Sequence, residues 1–136
     1  MTPTNFEKLR IYNLSESLAD RIWETVKSWD QFAQDTLGKQ MVRSADSIGA
    51  NIAEGVGRRG WQDQTRFIYI ARASINETKH WLRRAYTRKL LTNEQVESIK
   101  PILEELSPKL NAYLNWLKRR KSSEQPSTIN HQPTKL

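Results

Sequence analysis

The placement of the glycines constrains the fold of this chain more than any other feature. All five lie between positions 38 and 60, and Gly38 and Gly49 fall inside a segment whose apolar residues repeat with helical spacing. A glycine in a helix interior costs about 1 kcal/mol relative to alanine. We therefore expect a neighbouring backbone or bulky side chain to approach this helix closely. We expect the chain to break where the other three glycines follow.

Residues 47–55, Ser-Ile-Gly-Ala-Asn-Ile-Ala-Glu-Gly, close this helix. Ser47, Asn51 and Glu54 lie about one helical turn apart, directly before Gly55. We interpret them as a structural motif that ends the helix and docks it on the next long helix, where Glu77 is assigned to the same network. The glycines of residues 55–60 are expected to supply the positive φ angles of the turn.

Helical periodicity recurs in four segments, near residues 6–29, 32–54, 62–87 and 92–117. No stretch alternates between apolar and polar residues as a half-buried strand does. The links between the segments are short, which favours antiparallel neighbours. We predict an all-α protein, in which residues 1–120 form an antiparallel up-down-up-down four-helix bundle. Residues 121–136 are polar and proline-bearing, so we predict a disordered C-terminal tail there.

The first and third segments have broad apolar faces. Asn5 is the expected N-cap of the first helix. Its apolar face is expected to contain Leu9, Tyr12, Leu18, Ile22, Val26 and Trp29. The corresponding face of the third helix is expected to contain Phe67, Ile70, Ala71, Ser74, Ile75, Thr78, Trp81, Leu82 and Ala85. Trp23 and Trp81 are both expected in the core.

The fourth segment has a regular heptad pattern, and it also contains two prolines. Thr92 and Gln95 fit a capping box at its start. Pro101 and Pro108 each remove a backbone donor and crowd the preceding turn. We expect them to bend one continuous helix, and the alternative is a break into two helices.

Composition excludes several classes of site. The chain has no cysteine, so neither disulfides nor thiolate metal sites can form, and a reducing cytoplasm is the expected location. No apolar run approaches membrane-spanning length. The two histidines, His80 and His131, have no evident catalytic partner. We therefore predict neither a metal nor a cofactor.

The spacing Gly55-x-Gly57-x-x-Gly60 imitates a dinucleotide-binding fingerprint. That fingerprint requires a preceding strand within a βαβ unit, and here a helix precedes it. The pattern therefore indicates a helix stop and a turn.

Positive charge is concentrated in one quarter of the chain. Residues 58–90 hold nine basic and two acidic side chains, which equals the net charge of +7 of the whole chain. Arginine predominates there, and its guanidinium can pair bidentately with phosphate. Clustered charge of this kind favours an anionic partner such as RNA or DNA. The expected contacts are Arg58, Arg59, Arg66, Arg72, Lys79, Arg83, Arg84 and Arg88, with Trp61 and Tyr69 as base contacts.

Three stretches resemble one known family. They are residues 6–12 (Phe-Glu-Lys-Leu-Arg-Ile-Tyr), residues 40–55, which contain the central motif Ser-Ile-x-x-Asn-Ile-Ala-Glu-Gly, and residues 66–77 (Arg-Phe-Ile-Tyr-Ile-Ala-Arg-Ala-Ser-Ile-Asn-Glu). They are similar to bacterial four-helix-bundle proteins encoded in intervening sequences of large-subunit ribosomal RNA genes. The resemblance covers residues 6–120. Ala73 departs from the glycine that the family often has, and Pro101 and Pro108 interrupt the fourth helix.

The resemblance implies an antiparallel four-helix bundle that assembles into a homopentamer. It also implies a relation to the accessory protein of diversity-generating retroelements, which works with a reverse transcriptase.

Our leading hypothesis is a non-enzymatic, oligomeric nucleic-acid-binding bundle with RNA as the expected partner. The alternative is a protein-interaction scaffold or an accessory subunit for a reverse transcriptase or another nucleic-acid enzyme. An enzyme is the third candidate, and the missing nucleophile and metal ligands argue against it.

Overall fold

A computed structural model describes the backbone of residues 2–131 and the side chains of residues 2–120. Every regular element within residues 2–131 is a helix: α1 (Asn5–Lys27), α2 (Gln31–Ala33), a π-helical turn (Gln34–Gly38), α3 (Lys39–Gly57), α4 (Trp61–Thr87) and α5 (Asn93–His131). The short α2, the π-helical turn and α3 follow one another without a gap. Together they form the second long helix that the sequence predicts.

The four long helices pack as a closed square. α1 and α4 each contact both α3 and α5. Gly38 faces Val26 and Gly49 faces Ser15, so the chain directions of α1 and α3 are opposed. Arg10 pairs with Glu105, and Arg21 contacts Ser98. The chain directions of α1 and α5 are therefore opposed as well. The predicted antiparallel four-helix bundle is therefore confirmed.

The core is a continuous apolar column between the four helices. Its fully buried side chains come from every long helix, and the largest are Leu18, Ile22, Met41, Ile48, Ile52, Ile68, Ile75, Leu106, Leu110, Leu114 and Leu117. A hydrogen bond between the hydroxyls of Ser44 and Thr78, 2.9 Å long, satisfies the polar atoms buried between α3 and α4. Burial of this apolar surface is the dominant stabilising contribution to the fold.

Three predictions for α1 are wrong. Leu9 and Trp23 are each 54% exposed, whereas the sequence placed them in the core. The buried face of α1 begins at Ile11, and a step of 100° per residue turns Leu9 away from that face. Trp23 is rotated by the same step from the fully buried Ile22. The N-cap is Thr4 instead of Asn5, and Thr4 forms a capping box with Glu7.

The predicted apolar face of α4 is correct along most of its length. Ile70 is the exception at 39% exposure, and Ile68 is buried in its place. Phe67 and Trp81 are only half-buried. The buried face of α4 is therefore rotated slightly toward Ile68 relative to the prediction.

The fourth long helix is continuous. α5 passes through Pro101 and Pro108 without a break, so the alternative of two helices is wrong. Both prolines are exposed, which places their rings away from the core. The predicted capping box is confirmed, because the Thr92 hydroxyl accepts from the Gln95 backbone and Gln95 Oε1 accepts from the Thr92 backbone. The backbone of residues 121–131 continues α5. The side chains of residues 121–131 and all of residues 132–136 lie outside the described part, so the disordered tail predicted over 121–136 stays a prediction there.

The glycines mark close approaches, as predicted. A Cβ added to Gly38 would lie 2.7 Å from Val26 Cγ1, and one added to Gly49 would lie 2.8 Å from Ser15 Oγ. A Cβ on Gly55 would lie 3.0 Å from Ile68 Cδ1. The expected positive φ angles in the following turn are wrong, because no glycine has a positive φ. Arg58 and Gly60 are extended instead, which turns the chain from α3 into α4.

We predict that Gly49→Ala lowers the free energy of unfolding by about 1 kcal/mol. Overpacking against Ser15 costs roughly 1–3 kcal/mol, and the gain in helix propensity of about 1 kcal/mol offsets only part of it. Gly57→Ala is the matched control, since nothing lies within 4 Å of its added Cβ. It should be neutral or stabilising by up to about 1 kcal/mol. Urea unfolding followed by circular dichroism measures both, and a Gly49→Ala variant more stable than wild type would contradict the close packing.

Candidate nucleic-acid interface

The basic side chains are concentrated around one end of the bundle and along α4. Because the helices alternate in direction, the starts of α1 and α4 meet the end of α3 and residues 109–120 of α5 at the same end. The Lys118 ammonium lies 5.6 Å from the centre of the Tyr69 ring, which joins α5 to α4 at this end. The turn with Arg58 and Arg59 belongs to the same end.

The central sequence motif forms a polar contact between α3 and α4. Asn51 Nδ2 donates to the Ser47 carbonyl at 2.8 Å and to Ser47 Oγ at 3.0 Å. The Ser47 hydroxyl in turn bonds the Ser74 hydroxyl of α4 at 2.9 Å. Gly55 ends this contact, where α3 packs on Phe67 and Ile68. These residues are half-buried or buried, so their geometry is that of a docking contact between two helices.

The two carboxylates assigned to the motif form contacts with other residues. Glu54 Oε2 accepts from Arg58 Nη2 at 3.0 Å, which ties the arginine of the turn back to α3. Glu77 Oε2 accepts from the Trp81 indole at 3.0 Å. Glu77 therefore forms a contact within α4, and its assignment to the network of Ser47, Asn51 and Glu54 stays a prediction.

Arg58 and Arg66 are the most restrained of the predicted phosphate contacts. Their guanidinium carbons lie 4.8 and 4.5 Å from the centre of the Phe67 ring. Asp63 lies 3.5 Å from Arg66 and 4.0 Å from Arg58. These acidic partners offset part of the positive charge, so both arginines have less excess charge to offer an anion.

The aromatic contact with the most positive charge around it is Tyr69. Its ring is partly exposed, with the Arg72 guanidinium 5.0 Å and the Lys118 ammonium 5.6 Å from its centre. Neither cation forms an ion pair within residues 2–120. Such cation–π pairs are worth about 0.5–1 kcal/mol at exposed sites, so they orient the two charges without neutralising them.

Lys118 was missed by the sequence reasoning, together with Arg119 and Arg120. The run of cations at residues 118–121 could have indicated them. In the charge count it is hidden, because the segment of residues 91–136 also contains five acidic residues. In the structure these three side chains follow one another around the end of α5. Lys118 approaches Tyr69, and the Arg120 guanidinium lies 4.8 Å from the Trp116 ring centre.

The remaining predicted contacts are spread along α4. Lys79 and Arg83 line a groove between α4 and α5. Arg84 is half-buried, and Arg88 caps the C-terminus of α4. Arg59 is exposed in the turn, and Trp61 is half-buried at the first position of α4. From Arg66 to Arg83 the helix rises by about 25 Å. The predicted nucleic-acid contacts therefore form an extended surface along α4.

A metal site and a membrane span each place requirements on the residues that form them. Within the described residues, no group of three or more His, Asp or Glu side chains lies close enough to hold a metal ion. No helix among these residues is both long and apolar enough to cross a bilayer.

Comparison with known proteins links this architecture to one family. The family described as "23S rRNA-intervening sequence protein" matches residues 7–112. A crystal structure from Bacteroides thetaiotaomicron, of a protein with unknown function from the S23 ribosomal protein family, superposes with a TM-score of 0.71 and 29% identity. The match covers 80% of this chain and 98% of that one. No curated protein matches the chain.

We predict that the central motif acts on stability and leaves binding unchanged. Asn51→Ala should lower the free energy of unfolding by about 1 kcal/mol, because it removes the amide that organises Ser47 against Ser74. Asn76→Ala, at an exposed position of α4, is the control and should be close to neutral. Chemical unfolding and RNA titration of the same variants check both parts. A loss of RNA affinity in folded Asn51→Ala without loss of stability would contradict this assignment.

Proposed function

The chain belongs to the family of 23S rRNA-intervening sequence proteins, and from this premise we propose that it is a non-enzymatic, oligomeric bundle that binds nucleic acid, with RNA as the expected partner. We place this activity in the cytoplasm. The ligand would lie along the basic surface that runs from the α3–α4 turn along α4 and includes the neighbouring cations of α5.

The observation that carries the proposal is the cluster of Arg72, Tyr69 and Lys118. The partly exposed ring of Tyr69 has two cations 5.0 and 5.6 Å from its centre, so it offers a base contact beside two phosphate contacts. Base stacking on an aromatic side chain is worth about 1–3 kcal/mol and tolerates any sequence. The two cations come from different helices, so their placement depends on the folded bundle.

The pattern of ion pairs supports the same surface. Arg59, Lys79, Arg83, Arg84 and Arg88 form no ion pair within residues 2–120, whereas Arg58 and Arg66 share the carboxylates of Glu54 and Asp63. A cation that binds a phosphate releases the salt ions condensed on the nucleic acid, and this release favours binding. A cation without an acidic partner has its full charge available for such a contact. We therefore rank the unpaired cations above Arg58 and Arg66 as phosphate contacts.

Assembly would strengthen these contacts. We propose a homo-oligomer, with the pentamer that the family resemblance implies as the expected form. Several copies of one weak basic surface raise the overall affinity through avidity, without any new contact within a chain. Light scattering of the purified protein tests this, with five times the mass of one chain as the expected result.

We predict that the triple substitution Arg59→Gln, Arg72→Gln and Lys118→Gln weakens RNA binding and its salt dependence. Removing three phosphate contacts should lower the slope of log Kobs against log salt concentration by about 2–3. Titration of a labelled RNA hairpin at several salt concentrations measures the slope.

The matched control is Lys27→Gln, Lys39→Gln and Arg43→Gln, which removes the same charge from the opposite end of the bundle. These three residues line a shallow depression between α1 and α3. The control should keep most of the wild-type slope. An equal decrease of the slope in the two triple variants would contradict a localised interface. A wild-type protein that retains no structured RNA at low salt would overturn the proposed function itself.

The alternative of a protein-interaction scaffold, such as an accessory subunit for a reverse transcriptase, is favoured by one observation. A groove of about 810 Å³ between α4 and α5 has walls formed by Leu82, Leu91 and Leu103, and Tyr86 beside it is 60% exposed. The Ser107 hydroxyl that lines it is buried and has no hydrogen-bond partner within the described residues. Lys79, Arg83 and Lys100 at the rim outnumber the single carboxylate of Glu104. These features fit an amphipathic helix with acidic flanks from a partner protein.

We predict that Tyr86→Ala weakens binding of such a helix at least tenfold. The probe is a labelled synthetic 14-residue helix with leucines on one face and glutamates beside them. Trp23→Ala is the control, because Trp23 is similarly exposed and lies far from the groove along α1. Fluorescence anisotropy reports the affinity. Equal affinities for the two variants, or a change of oligomeric mass in Tyr86→Ala, would contradict the scaffold.

A further inference from the structure

A second aromatic and cationic cluster lies on the other side of α5, away from the proposed RNA surface on α4. It surrounds a pocket of about 330 Å³ between the N-terminal turns of α1 and the part of α5 near residues 109–119. That volume is at the lower end of the range for small-ligand sites. Its lining is largely apolar, with three aromatic rings, from Phe6, Tyr113 and Trp116, and four cations.

The aromatic rings form one wall of the pocket. Tyr113 and Trp116 stack with their ring planes 14° apart and their centres separated by 6.2 Å. Phe6 is 76% exposed at the lip of the pocket, so the fold does not require its ring there. Burial raises the pKa of Tyr113, and its phenol is uncharged at neutral pH, as that of any tyrosine is. This wall matches a flat, uncharged aromatic group.

The cations form the rim of the pocket. Arg10 pairs with both oxygens of Glu105, at 2.6 and 2.8 Å, whereas Lys109 lies 3.7 Å from the same carboxylate. Because Arg10 already offsets the one negative charge of Glu105, Lys109 keeps positive charge to offer an anion. The hydrogen bond from Arg10 lowers the pKa of Glu105 and keeps it ionised. Lys8 and Arg119, also in the lining, form no ion pair within residues 2–120. Glu7 is the one acid in the lining, and its carboxylate accepts from the Thr4 backbone in the capping box.

The ligand that combines a flat aromatic group with a negative charge is a nucleotide. We infer that this pocket binds one unpaired nucleotide, with its base against Phe6 and Trp116 and its phosphate at Lys109 and Arg119. Stacking on aromatic rings and phosphate contacts from Lys and Arg are the two interactions by which proteins hold single-stranded nucleic acid. The Arg120 guanidinium on the Trp116 ring adds positive charge beside the site.

The pocket also extends the proposed RNA surface. Lys118 contacts Tyr69 on the α4 side, whereas Arg119 lines the pocket on the α1 side. Two consecutive residues of α5 thus connect the two sites around one edge of the bundle. RNA that follows the α4 surface would place a bulged or terminal nucleotide in the pocket. In this respect the inference rests on the proposed function, although binding of a free nucleotide does not.

The test uses adenosine 5′-monophosphate as the probe, with adenosine and inorganic phosphate as comparisons, on the full chain. Nuclear magnetic resonance should show that the nucleotide shifts the Trp116 indole signal. The nucleotide should bind at least tenfold more tightly than either comparison compound. Lys109→Gln with Arg119→Gln should remove the preference for the nucleotide over adenosine. The matched control, Lys27→Gln with Lys39→Gln, should leave it unchanged.

Phe6→Ala is the second variant, since a side chain so exposed can be truncated without loss of folding. It should weaken nucleotide binding severalfold while phosphate binding stays as in wild type. Leu9→Ala is its control, because Leu9 is also an exposed apolar residue of α1 and does not line the pocket. Equal binding of the nucleotide and inorganic phosphate would overturn the inference and indicate an anion site only. Nucleotide binding that neither variant changes would overturn it as well.

A blunt RNA duplex separates this inference from the proposed function. If the duplex binds and the mononucleotide does not, the pocket is wrong and the RNA surface on α4 stands. If the mononucleotide binds and no RNA does, the pocket stands and the proposed function is wrong. If the RNA surface and the pocket both exist, both ligands bind. Lys109→Gln with Arg119→Gln should then lower the affinity for the mononucleotide by a larger factor than the affinity for the duplex.

Discussion

The bundle depends on how closely α3 approaches α1 and α4. Gly38, at the end of the π-helical turn, and Gly49 of α3 face Val26 and Ser15, and Gly55 faces Ile68. A Cβ added at these glycines would lie 2.7, 2.8 and 3.0 Å from those side chains, which is closer than ordinary packing contacts. Interiors packed at this density do not absorb an extra methyl group without strain. The hydrogen bonds from Asn51 to Ser47 and between Ser47 and Ser74 lie in the interface of α3 with α4 and give it a fixed register. The central motif thus fixes how α4 docks on α3, and α4 carries most of the basic surface.

The proposed function follows from that placement. The helices α1, α3, α4 and α5 meet at one end of the bundle. Cations that are distant in the sequence come together there, such as Arg72 and Lys118, which both contact the ring of Tyr69. Family membership indicates a connection with ribosomal RNA genes and does not specify a biochemical activity. The electrostatics and the exposed aromatic rings of this chain supply the argument for nucleic acid. The apolar groove between α4 and α5 supplies a separate argument for a protein partner.

Periodicity and capping residues were enough to predict the four-helix architecture and the continuous fourth helix. Heptads from Val96 to Leu117 and the Thr92–Gln95 pair are local signals, and local signals determine helices. The failures concern rotation about the helix axis. Leu9, Trp23 and Ile70 are apolar, but their burial depends on which neighbour covers each face, and an isolated segment does not specify this. The glycines were correctly associated with close packing, whereas their backbone angles in the turn were not.

The candidate sites were less predictable because they combine residues from different helices. Charge counting along the sequence found the arginines of α4, but it missed Lys118, which lies 49 residues after Tyr69 in the chain. It also could not identify the pocket, where Phe6 of α1 meets Trp116 of α5. The most direct test of the account is ultraviolet crosslinking of the purified protein to RNA, with the crosslinked residues identified by mass spectrometry. Crosslinks are expected at Tyr69 and at Phe6 or Trp116. Crosslinks confined to the α1–α3 face around Trp23 would contradict both the RNA surface on α4 and the nucleotide pocket.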